Sequence, residues 1–111
     1  MIKLNRGMTK LKEIKDIVED IREELDGAKH YAEKAVRFKG MDSARMNAYA
    51  DMARQELAHV DNLHKMAVKI IEAQRASGAS VPASMQAVWD WEHENMMDKA
   101  ARIRMLLEMA K

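Results

Sequence analysis

The feature that most restricts this chain is an apolar stripe whose spacing alternates between three and four residues. Leu11, Ile14, Val18, Ile21, Leu25, Ala28, Ala32 and Ala35 form its first stretch. Met46, Tyr49, Ala53, Val60, Leu63, Ala67 and Ile70 form the second, with Glu56 in the one slot where an apolar side chain is due. A strand repeats every two residues, so this pattern belongs to helices that bury one seam each. With one proline, four glycines and few β-branched residues, little interrupts helix. The fold class is therefore all-α.

The boundaries follow from capping chemistry. Residues 1–8 carry no clear pattern, and Thr9 is a candidate N-cap for a first helix reaching about Lys39. Gly40 suits the left-handed position after a helix end, and Asp42 or Ser43 suits the next N-cap. So short a turn forces an antiparallel hairpin, about 9–76. The stretch Ser77-Gly78-Ala79-Ser80-Val81-Pro82-Ala83-Ser84 has the composition of a loop, with Pro82 fit for a first helical turn. A third helix, about 82–110, carries Met85, Trp89, Met96, Ala100, Ile103, Leu107 and Ala110, with Glu92 in its seam gap. One domain spanning 1–111 is expected. A two-helix hairpin has apolar surface on more than one side, and a third helix covers only part of it. A four-helix bundle completed by dimerisation is the expected assembly, as a homodimer or higher homo-oligomer.

Several function classes drop out. Net charge is +1 with interspersed signs, which does not imply a nucleic-acid partner. No run of about 20 apolar residues is present, so no membrane partner is expected. The start, MIKLNRGMTK, does not read as a signal peptide, which makes a cytoplasmic location the default. The absence of cysteine removes thiolate ligands and cysteine nucleophiles.

What remains is Glu56 with His59, three residues apart and on the same side of a helix. A buried carboxylate is costly unless something pairs with it. The first helix carries a second row, Ile17, Glu24, Tyr31 and Phe38, in which Glu24 is the exception. In a hairpin turning near residue 40, Glu24 and Glu56 are equally far from the turn and sit at one level. Two acids and an imidazole at one level make half a site for a hard or borderline divalent ion. Two chains would supply the four carboxylates and two histidines of a carboxylate-bridged dinuclear centre.

The run Glu23-Glu24-Leu25-Asp26-Gly27-Ala28-Lys29-His30-Tyr31, followed by Glu56-Leu57-Ala58-His59, resembles the ferritin-like superfamily, closest to rubrerythrin-type domains and the short encapsulated ferritins. The resemblance covers roughly residues 11–76. It implies metal ligation by Glu24, Glu56 and His59, with Tyr31 alongside them in the catalytic set. It implies iron as a di-iron centre, or manganese in its place, and ferroxidase activity with dioxygen or peroxide. In the encapsulated type, acids beside the ligand Glu help iron reach the site, and Glu23 and Asp26 hold similar positions. The alternative is a non-enzymatic helical scaffold or interaction protein with no functional metal site; a third option is metal storage or sensing without turnover.

The other residues read more plainly. Glu92 and His93 are weaker metal candidates, as an extra ligand or an entry site, and otherwise mark the edge of a packed face. Tyr31 suits core packing, its hydroxyl within reach of a ligand carboxylate. His30 and His64 read as solvated, and Trp89 and Trp91 as anchors of the third helix. Gly27 marks either a close backbone approach or mere tolerance. The 11 methionines read as fillers of a helical core.

Overall fold

The computed structural model describes residues 6–78 and 83–111, leaving out the side chains of 6–9 and 84. Three helices account for nearly all of them: α1 (Arg6–Phe38), α2 (Ser43–Ala76) and α3 (Ala83–Met109). No strand occurs among the described residues. α1 is already helical at Arg6, three residues before the expected Thr9 cap, so Thr9 lies inside the helix. Pro82 falls outside the described residues.

The α1–α2 turn is built as its residues dictate. Gly40 takes φ +78°, the left-handed conformation that lets the chain reverse without a Cβ clash. The Phe38 carbonyl accepts hydrogen bonds from the amides of Met41 and Asp42, at 2.9 and 3.0 Å. Asp42 is the N-cap of α2, its carboxylate accepting from the Arg45 amide at 3.0 Å. At the far end, Gly78 also has positive φ and donates its amide to the Arg75 carbonyl, closing α2.

The α1 seam is buried from Ile14 through Ala35, with Leu11 half-buried at its rim. Near the turn it consists of Ala28, Ala32 and Ala35, and the matching levels of α2 present Ala50 and Ala53. Small side chains on both helices let the two backbones approach closely there.

α2 carries two stripes of three-and-four spacing, offset by one residue. The inner one, Ala50, Ala53, Leu57, Val60, Ala67 and Ile71, is the buried seam. The outer one, Tyr49, Met52, Glu56, His59, Leu63, Met66 and Ile70, is half-buried or exposed. The expected single seam mixed the two, and it omitted Ala50, Leu57 and Ile71. Glu56 consequently belongs to the outer stripe and lies at the edge of the core.

α3 runs parallel to α1 and leans mainly on it. Every apolar position of its expected seam is buried, from Met85 to Ala110. Glu92, in the seam gap, is also buried and is ion-paired to Arg22 of α1. The ends of α3 are tied by Arg75 to Gln86 at 2.8 Å and by Lys39 Nζ to the Met109 carbonyl at 2.7 Å. Of the two tryptophans, Trp89 anchors the helix while Trp91 points outward, 68% exposed. The methionines divide similarly: Met85 and Met96 fill core, whereas Met41, Met52, Met66, Met97, Met105 and Met109 lie exposed. Met46 packs partly against the core. Among the described side chains the filler role thus holds for Met85, Met96 and in part Met46, while the exposed six fall on outward faces of their helices.

The Arg22–Glu92 pair makes a separable prediction. Arg22→Ala strands a buried carboxylate and should lower the free energy of unfolding in urea by about 1–3 kcal/mol. Glu92→Leu replaces that carboxylate by an apolar side chain in an apolar seam and should be near neutral. Equal losses in both variants would contradict this account of the α1–α3 contact.

Candidate metal centre

Glu24 is held by the outer row of α1, where it follows Ile17 by two turns; Glu56 and His59 are held one turn apart by the outer stripe of α2. The antiparallel hairpin brings the three to one level. Their ligand atoms all lie within 4.8 Å of one another, and His59 Nδ1 is 3.3 Å from Glu24 Oε2. They form the one group of three or more potential donor side chains among the described residues. They are not enclosed by this chain: the carboxylates are half-buried and the His59 side chain is 54% exposed. Their ligand atoms open toward the outer face of the hairpin, away from α3.

Gly27 explains how Glu56 fits. A Cβ at this position would lie 3.3 Å from Glu56 Oε2 and 3.6 Å from its carboxyl carbon. The close neighbour is thus a carboxylate rather than a backbone. Gly27 is also three residues after Glu24, so the missing side chain clears space beside one acid for another.

The two acids share their protons unequally. A hydrogen bond with Glu56 holds the Glu24 carboxyl below its ordinary range, against the opposing cost of burial and with help from His59. The same hydrogen bond pushes Glu56 up, reinforced by burial and by the charge of Glu24. Two carboxylates this close cannot both ionise freely, and a cation between them would take the place of the shared proton.

The remaining expected site residues lie elsewhere. Tyr31 stacks on Tyr49, ring centroids 6.2 Å apart and planes 22° apart, and Tyr49 stacks on Phe38 at 5.9 Å and 8°. Lys34 and Arg45 cover this ladder with cation–π contacts of 5.2 and 5.4 Å. Glu23 and Asp26 are exposed and line a groove shared with Lys15, Arg22 and Glu92, on the α3 side of α1. Glu92 is taken up by Arg22, and His93 lies against His64 and Trp89. Glu23, Asp26, Glu92 and His93 all lie outside the Glu24–Glu56–His59 group. His30 is exposed as expected.

His64 departs from expectation. It is half-buried, with its ring 5.3 Å from Trp89 and 5.1 Å from His93. From the sequence His64 reads as solvated, and only the register of α3 reveals the enclosure. Burial holds His64 below the ordinary histidine value of 6.5, the charge of His93 adds to that, and Asp61 opposes it.

No known family model, curated protein or solved structure matches this chain.

Two predictions follow from this geometry. Gly27→Ala should favour helix by up to about 1 kcal/mol and raise the urea midpoint, while weakening divalent-cation binding because Glu56 is displaced. Tighter binding in the alanine variant would contradict the spatial role of Gly27. For His64, the folded chain binds its proton less readily than the unfolded chain. Its contribution to stability is therefore full above pH 6.5 and lost as pH falls through the lowered folded value. Urea midpoints should fall from pH 7 to pH 5 more steeply in the parent than in His64→Gln; parallel profiles would contradict the assignment.

Proposed function

We propose that this chain is a ferritin-like di-iron carboxylate protein, or its di-manganese counterpart, whose metal site is completed by homodimerisation and whose activity is ferroxidase. The observation that carries the reading is the convergence of Glu24, Glu56 and His59 within 4.8 Å on the hairpin face that α3 does not cover. Two carboxylates and an imidazole suit iron or manganese, and the lack of thiolates disfavours softer ions.

The second copy is argued from the same face. Tyr49, Met52, Leu63, Met66 and Ile70 extend the outer stripe of α2 to either side of the donors, and Tyr31 and Phe38 continue the row of Glu24 toward the turn. Against a second hairpin related by a two-fold axis, this stripe would bury its apolar side chains and bring the two donor sets together. Enclosure by the partner would also dry the site and strengthen its electrostatics. A dimer would pool four carboxylates and two imidazoles, the donor set of ferritin-like dinuclear bundles.

Iron is substrate in this reading. Two Fe(II) ions each give up one electron, and dioxygen takes two electrons and two protons to leave as hydrogen peroxide. Glu24 and Glu56 hold the ions and offset the charge gained on oxidation. His59 would hold iron through a ring nitrogen, and Glu56, the acid held in its protonated form, would release its proton to water as the ion binds.

The main alternative is a helical scaffold without metal. It is favoured by the Glu24–His59 contact itself, since an ion pair of partly exposed groups occurs without any ligand and contributes only about 0–1 kcal/mol. Thermal melts separate the two readings. A metal bound only by the folded state at about 100 times its Kd adds about 2.7 kcal/mol, whereas a scaffold ignores both iron and chelator.

The direct test is Fe(II) titration of apo-protein in air, read by ferric absorbance. The parent should oxidise iron faster than buffer, and Glu56→Ala should lose at least about tenfold of that rate. Equal oxidation by Glu56→Ala would overturn the proposal.

A further inference from the structure

A pair of histidines packed with a tryptophan lies across the bundle from the Glu24–Glu56–His59 face, where α3 meets α2. His64 comes from α2, and Trp89 and His93 come from α3, four residues apart. The three rings form a closed triangle with centroid separations of 5.1 Å between the histidines, 5.3 Å from His64 to Trp89 and 5.6 Å from Trp89 to His93. Beside them is a hollow of about 270 Å³, bordered by both histidines together with Asp61, Met97 and Arg104. Both histidines are half-buried, so an ion and its waters can reach them.

The ring spacing has a chemical meaning. An ion bonded to an imidazole nitrogen at about 2.0–2.1 Å lies about 3.2 Å from the ring centre, and two imidazoles at a tetrahedral angle then have centres about 5.2 Å apart. The His64–His93 separation of 5.1 Å is nearly that value. The geometry points to a second metal site: His64 and His93 form a two-imidazole chelate for a borderline divalent cation of the zinc or copper(II) class, clipping α3 to α2. Imidazole suits these ions better than it suits calcium or magnesium. Water fills the remaining positions, and Asp61, one helical turn before His64, borders the same hollow.

The clip would act where the fold is least tied. α3 leans on α1 along its length, and its described links to α2 are the ring cluster and the Arg75–Gln86 hydrogen bond near its start. An ion held from both sides would fix the register of α3 on the hairpin. This inference does not depend on iron chemistry at the other face.

The test uses the full chain in a Trp91→Phe background, which leaves Trp89 as its one tryptophan. Copper(II) should quench Trp89 fluorescence with a stoichiometry of one per chain. His64→Gln and His93→Gln, checked for helix by circular dichroism, should each weaken that quenching by roughly tenfold or more. A Glu56→Ala, His59→Ala variant should keep it, which separates this site from the proposed iron centre. A measurement that needs no variant is proton NMR of the parent with zinc(II). The ring resonances of His64 and His93 should move together at one equivalent. Unchanged quenching in both glutamine variants, or zinc moving the His59 resonances while those of His64 and His93 stay fixed, would overturn the proposal.

Discussion

The close packing of two alanine-faced helices is the constraint on which the rest depends. Ala28, Ala32 and Ala35 of α1 are buried at the levels where α2 presents the buried Ala50 and Ala53. Large residues there would hold the helix axes further apart. Small residues at the contact permit close axes, and residues on its flanks can then reach across it. On the outer flank this produces the Tyr31–Tyr49–Phe38 ladder near the turn. Farther along, the same closeness lays Glu56 against Gly27 and within reach of Glu24. The donor cluster is thus a consequence of small core residues, with Gly27 as the last of them.

The hairpin has two apolar flanks and α3 occupies one. On that side the burial is thorough, including a carboxylate neutralised by Arg22. On the other side an apolar stripe of the same period is left half-covered, with three chemically demanding side chains at its centre. Helices that bury only one seam usually carry charge on the opposite face. α2 instead repeats its seam one residue out of phase, which is the pattern of a helix contacted from two directions. The proposed dimer and the proposed metal centre rest on this shared circumstance, and neither is independent of the other.

How much could be read from the sequence differed from helix to helix. α3 has one apolar stripe, so its buried positions followed directly from spacing, including the anomaly at Glu92. α2 has two stripes one residue apart, and periodicity cannot decide which faces inward; the composite seam that resulted put Glu56 deeper than it is. The level of Glu24 against Glu56 was legible because a short turn fixes antiparallel register by counting. The enclosure of His64 was not, since it depends on where α3 settles after the connection that follows Ser77. Gly27 was visible as an oddity; its position three residues after Glu24 was the available signal that it makes room for an acid.

The central claim is that two copies of this chain share one dinuclear centre through their outer faces. The most direct measurement is the mass of the protein in solution together with its metal content after anaerobic loading with Fe(II). The account predicts a particle of twice the 12.7 kDa chain, or an even multiple of it, retaining two irons per pair of chains. A 12.7 kDa monomer that releases all its iron on a desalting column would contradict it.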